Sequence, residues 1–329
     1  MSPRLRTYLV VAVAAFGAAA LVIATVAFTR TSTGGRAAPQ TATTASAPGG
    51  APALVLDLGV RADAEARALR RANRLYAAGR RREAGRIFAR YGSLPAEVGA
   101  ALAAWPRGSI ARLDRLAHRH PSSALVLLHL GLARVAAGRR RSAEAAWREA
   151  LARDPDSESA VEAESLLFPR YAPGRPLFVT SFSAPPAIDR LPPARRLQAY
   201  RREARGRDVR AKLLYGAALQ RLGRPISAEH EFAAAARLAP ENAEAQTAAA
   251  VGLFTKAAPA RAFSRLGPLA KRFRGAQTVR FHLGELLLWI GELKEARRQL
   301  VLARGGDRAT PLGRTASALL AQLKTIRTG

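Results

Sequence analysis

The sequence predicts an all-α chain: helical hairpins stacked into a solenoid, in two arrays joined by a Pro/aromatic insertion and preceded by a single transmembrane helix. Three observations predict it. Sequence marks recur every 34 residues from Val209 to Arg308. An uncharged apolar run extends from Tyr8 to Phe28. The helical periodicity breaks between Ser165 and Asp208, where seven prolines follow Phe168.

Residues 1–7 form a basic flank and 8–28 the predicted span. Its 21 residues, at about 1.5 Å each, reach about 31 Å, the thickness of a bilayer core. A cleaved secretory signal is the competing reading, because Arg4 and Arg6 precede the apolar core. The length of the run and the poor cleavage pattern at Thr25-Val26-Ala27 favour an uncleaved anchor. Residues 29–53, rich in Ala, Thr, Pro and Gly, read as a disordered tether. Arg4 and Arg6 on one side nearly balance Arg30 and Arg36 on the other. The short side and its amino terminus favour a cytoplasmic N-terminus, placing the large domain outside the cell membrane.

The net charge is +29, and all but five of the 53 basic residues are arginine. A surface this basic attracts anionic partners. The abundance of Ala, Gly and Pro beside so much arginine equally suits a compositional bias of a GC-rich genome. With no cysteine, disulfides, thiolate metal sites and a cysteine nucleophile are excluded.

The first array is predicted over 54–164, the insertion and a helix over 165–208, the second array over 209–310, and a capping helix and tail over 311–329. In the second array, Gly223, Ala228, Phe232, Ala235 and Pro240 mark one unit. The next unit places Ala262, Leu266 and Leu269 on the same marks, and the third places Gly291, Ala296, Leu300 and Ala303 there. Leu283-Gly284 repeats Tyr215-Gly216, and Leu130-Gly131, Gly138, Ala143, Trp147, Ala150 and Pro155 carry the same spacing in the first array. Two antiparallel helices must sit close, so small residues occupy their crossing and large ones fill the space beside it. Gly223 ends one helix, and Pro240 follows the next.

This pattern resembles the tetratricopeptide repeat, a 34-residue helix–turn–helix. The resemblance is closest over 124–157 and 209–242 and extends to 277–310. It is degenerate over 65–98, which keeps Gly79, Ala84 and Phe88, and over 243–276, where Ala250 replaces the glycine. A shortened hairpin is predicted from about Pro95 to Pro121 and a capping helix over Pro311–Ile326. Within the insertion, Leu177–Phe182 is the stretch most suited to extended structure, and Leu191–Arg205 reads as a helix opening with Pro192-Pro193.

The resemblance implies a concave groove lined by the first helix of each unit, holding a protein or peptide partner. On that helix the inward places fall on Arg210, Leu213, Ala217, Gln220 and Arg221, then Thr247, Val251 and Phe254, then Phe281, Glu285, Leu288 and Trp289. Packing between repeats is the competing role for some of them. Ala217 and Val251 stand where the chaperone-tail-binding members need asparagine, so that activity is not implied. In the unit 124–157 the same face reads Leu125, Leu128, Leu132 and Val135, too apolar to lie bare, and the Pro/aromatic insertion is the expected cover.

A second surface is an arginine edge. AAGRRR occurs twice, placing Arg80, Arg81 and Arg82 and then Arg139, Arg140 and Arg141 at equivalent turns. It would take anionic polymer or anionic lipid, or serve only as a solvated turn. No specific nucleic-acid partner, cofactor or enzyme activity is predicted. His118 and His120 point to different helix faces, and the acidic stretch beginning at Asp154 lacks the glycine and final carboxylate of a calcium loop. The bilayer itself is the partner expected for the N-terminal helix. By resemblance to single-pass bacterial proteins with an extracytoplasmic tetratricopeptide domain, the expected role is a scaffold in envelope assembly or quality control.

Overall fold

The computed structural model describes residues 50–325. The predicted flank, membrane span and nearly all of the tether lie outside the described residues. Among the described residues no helix is long and apolar enough to cross a membrane. They form sixteen helices and no strand, in two compact units that divide between Leu167 and Phe168.

The first unit contains α1 (Ala64–Ala77), α2 (Arg81–Phe88), α3 (Leu94–Ala103), α4 (Ser109–Arg119), α5 (Ala124–Ala136), α6 (Arg140–Arg153) and α7 (Glu158–Leu167). The first six pair as successive hairpins, including the predicted short one. In α1 the buried residues Ala66, Leu69, Ala72 and Tyr76 recur at helical spacing and make one apolar stripe. Between α5 and α6 the close approach is at Gly131, where a Cβ would fall 2.2 Å from Trp147 Nε1. The Trp147 indole donates to the Leu128 carbonyl at 3.2 Å, so its one polar atom is satisfied inside the core.

The second unit contains α8 (Pro186–Asp189), α9 (Pro193–Ala204), α10 (Val209–Arg221), α11 (Pro225–Leu238), α12 (Ala243–Gly252), α13 (Ala260–Arg272), α14 (Gln277–Trp289), α15 (Leu293–Gly305) and α16 (Pro311–Thr325). Its crossings repeat the rule: a Cβ on Gly216 would meet Phe232 at 2.4 Å, and one on Gly284 would meet Leu300 at 2.9 Å. Burying Phe232 in this way contributes roughly 1.5–3 kcal/mol. The final helix α16 lays Leu312, Ala316, Leu319 and Leu320 against Leu300 and Ala303, closing the apolar face of the last pair.

Caps explain where the hairpins begin and turn. Four first helices open on a residue whose side chain accepts backbone N–H groups: Asp63, Ser123, Asp208 and Asn242. Each such cap is worth about 1 kcal/mol. The second helix follows a tight turn instead, through Gly79, Gly138, Gly223 or Gly291, all at positive φ. In the degenerate pair α12–α13 the connection itself, Leu253–Pro259, holds no glycine and is wider.

Candidate peptide groove

In the second unit, the first helices α10, α12 and α14 present Gln220, Glu244, His282 and Glu285 toward an extended segment of the same chain, Ala172–Phe182. Four backbone N–H groups of that segment are taken by these side chains. Leu177 donates to the Glu285 carboxyl. Phe178 donates to Gln220 Oε1 at 2.8 Å, and Val179 donates to His282 Nε2 at 3.0 Å. Ser181 donates its N–H to Glu244 Oε1 and its hydroxyl to Oε2, the latter at 2.8 Å. At the other end Lys256, wholly buried, donates to the Ala172 carbonyl at 2.6 Å. We call this segment the strap.

Its side chains add a pocket and a rim contact. Phe178, 1% exposed, stacks on the His282 ring at 4.8 Å and meets Phe232 edge-on at 5.3 Å. Phe182 lies beneath the Arg210 guanidinium at 4.2 Å. Thr180 turns its hydroxyl back onto the Phe182 carbonyl.

The hydrogen bonds set the protonation states. His282 Nδ1 lies 2.7 Å from the Thr278 carbonyl, an acceptor, so Nδ1 carries the proton and Nε2 is free to accept from Val179. Burial holds this imidazole neutral, with its pKa lowered to about 4. Burial also pushes the Glu285 carboxyl up to about 8, opposed by the hydrogen bond from Leu177.

The first unit repeats the device. Val55 N–H donates to His129 Nε2 at 3.0 Å, while His129 Nδ1 lies 2.7 Å from the Leu125 carbonyl. The Tyr76 hydroxyl donates to the Pro52 carbonyl at 2.6 Å. Burial lowers the His129 pKa to about 4 as well. Both histidines stand in the tripeptide His-Leu-Gly, at 129–131 and 282–284, two residues before a crossing glycine. That recurrence was the available signal, and reading the histidines only for metal spacing misses it. Glu244 and Lys256 carried no pattern that singled them out.

The expected cover of the first array is corrected here. Leu54 and Leu58 join the cluster that contains Leu125, and Val55 packs on the one that contains Leu128. The Pro/aromatic insertion belongs to the second unit and fills that unit's groove. Val135 remains 43% exposed. Each array is thus covered by the apolar segment just before it in the chain, the nearest one available and so the one whose ordering costs least.

Of the residues assigned to the groove, Arg210, Gln220 and Glu285 contact the strap. Phe281 meets His282 edge-on at 5.0 Å and is buried with Val179 and Leu288. Leu213, Val251, Phe254 and Trp289 share the core cluster of Phe178 and Phe232. Thr247 is buried with its hydroxyl on the Ala243 carbonyl, and Arg221 is exposed. The predicted arginine edge falls at the Gly79 and Gly138 turns. Arg80 pairs with Glu83 at 2.6 Å and Arg140 with Glu144 at 3.1 Å. Arg81 is half-buried, and Arg82, Arg139 and Arg141 are exposed. Among the described residues no group of three or more His, Cys, Asp or Glu is placed to hold a metal ion.

No protein-family model and no curated protein matches the sequence. Among solved structures the chain is similar to a tetratricopeptide repeat protein from Parabacteroides merdae, at 14% identity and TM-score 0.33 over 79% of this chain and 98% of that one. It is also similar to Pseudomonas aeruginosa pilF, at 21% identity and TM-score 0.31 over 64% and 95%. With yeast Tom70 it shares 13% identity at TM-score 0.36 over 83% of this chain, which spans about half of that protein, 51%.

Proposed function

We propose that this chain is a non-enzymatic helical-repeat scaffold that binds another protein and is held at a membrane by residues 8–28. The observation that carries the binding role is the ladder of side-chain acceptors on Gln220, Glu244, His282 and Glu285. Together they take four backbone N–H groups from one extended segment. Such contacts hold an extended chain whatever its side chains, and the Phe178 pocket adds selectivity. Membrane attachment rests on the length and apolarity of residues 8–28, and an extracytoplasmic domain on the Ala/Thr/Pro/Gly spacer that follows them. A role in envelope assembly or quality control rests on the combination of anchor, tether and repeats.

Photo-cross-linking from living cells tests the reading. A photoreactive amino acid is placed at Arg210 or Arg221 on the groove rim, and in parallel at Arg82 or Arg141 on the arginine turns; all four are exposed. The scaffold reading expects a discrete protein adduct from the rim positions, and the same adduct when isolated membranes are irradiated at high salt. Adducts from the turns alone, which fail to form when irradiation is carried out at high salt, would instead favour an anion binder, because exposed charge contacts are screened.

A further inference from the structure

The strap does more than cover apolar surface. A cover needs only apolar side chains, whereas this groove turns five polar side chains onto backbone atoms of the strap. Three of them, His282, Glu285 and Lys256, are buried beneath it. The bonds these side chains make to the strap ask for a free N–H at Leu177, Phe178, Val179 and Ser181 and a carbonyl at Ala172, and only Glu244 also takes a side-chain donor, the Ser181 hydroxyl. Buried polar groups left unpartnered are costly, so the groove favours occupation by some extended chain at all times.

Building on the scaffold reading, we propose that the strap is an autoinhibitory ligand. It holds the place of an extended partner segment of the same chemistry, and the partner-binding form of the second unit is the one from which the strap has been displaced. The geometry states what that segment must be. Proline is excluded at the places of Leu177, Phe178, Val179 and Ser181, because each donates its N–H. An aromatic residue is required at the place of Phe178, between Phe232 and His282, and a second aromatic is favoured at the place of Phe182, under Arg210. Tethered beside its groove, the strap acts at an effective concentration on the order of millimolar. A free segment competes only when it binds better or the strap is weakened.

The test uses the full chain in detergent micelles and a fluorescent synthetic peptide of residues 174–183. The peptide carries one arginine and no acid, so the basic surface does not attract it. Phe178→Ala with Val179→Pro empties the pocket and removes the N–H that His282 accepts. This variant should bind the peptide at least tenfold more tightly than the parent, and adding His282→Leu should abolish the gain. If the strap variant keeps its helical circular dichroism but binds no better, or if His282→Leu leaves the gain intact, the proposal is overturned. If the variant loses its helical signal, hydrogen exchange of the parent decides. Excess peptide should speed exchange over 176–182, and unchanged exchange there overturns the proposal equally. Failure of the scaffold reading shows separately, as peptide binding without any protein adduct from the groove rim.

Discussion

His282 accepts the backbone N–H of Val179 at 3.0 Å through Nε2, across 103 positions of sequence, while its Nδ1–H is committed to the Thr278 carbonyl one turn back on α14. Both ring nitrogens are therefore spent, and the imidazole is locked in one neutral tautomer. The Val55–His129 pair in the first unit has the same two distances, 3.0 and 2.7 Å.

His282→Leu leaves the Val179 N–H buried without an acceptor. It should cost about 1–3 kcal/mol in chemical denaturation. His282→Gln, which offers a carbonyl oxygen at similar reach, should cost less than the leucine change. Equal losses would show that ring packing rather than the hydrogen bond is what matters.

Stability should fall on acidification. Burial depresses both histidines from 6.5 to about 4 in the folded chain. Their contribution is complete above pH 6.5 and is lost as pH drops toward 4, up to about 3 kcal/mol for each. Replacing both with Gln should flatten the denaturation midpoint between pH 6.5 and 4, measured by urea titration.

Glu285 acts with the opposite sign. Burial raises its carboxyl from 4.5 to about 8, so the protonated form stabilises the fold below pH 4.5 and that contribution is lost as pH rises to 8. Glu285→Gln should therefore raise the melting temperature at pH 8 more than at pH 5. A uniform shift at both would mean that Glu285 does not titrate in this window.

Gly216→Ala and Gly267→Ala should differ in magnitude. At Gly216 the new Cβ meets Phe232 at 2.4 Å, whereas at Gly267, inside α13, it meets nothing within 4 Å beyond its chain neighbours. The first should cost about 1–3 kcal/mol by overpacking, and the second far less, because a helix-propensity gain of up to about 1 kcal/mol is offset by crowding of the new Cβ against the ring of Pro268, the next residue. Thermal melts of the two single variants read the contrast directly.

Phe254 and Trp289 meet edge-on at 6.0 Å and are 2% and 6% exposed. Replacing either with Ala should cost about 3–5 kcal/mol and lower the melting temperature sharply. Loss of partner capture in such variants would report unfolding, so groove occupancy is better probed at Phe178.

The hairpins were legible because their determinants are local. Gly131 with Trp147, Gly216 with Phe232 and Gly284 with Leu300 each sit 16 residues apart, within one repeat, so a single contact rule prints the same mark each time. On α10 and α14 the resemblance to the repeat family placed Gln220 and Glu285 inward, and in the structure both side chains contact the strap. What fills the groove was not legible. Leu177–Phe182 reads as an apolar, β-branched stretch that suits any exposed apolar face, and the face over Leu125 and Leu128 looked equally in need of cover.

The sequence by itself determined the repeat length, the helix caps, the turn glycines and the small-against-large crossings, because each is decided by residues within about one repeat. Only the tertiary structure decided that Phe178 and Val179 lie against Phe232, Gln220 and His282, 42 to 103 positions away. An extended segment has no internal hydrogen bonds to declare its place. Its backbone N–H groups must be taken by whatever acceptors the assembled helices present, and those acceptors converge only after three hairpins have stacked.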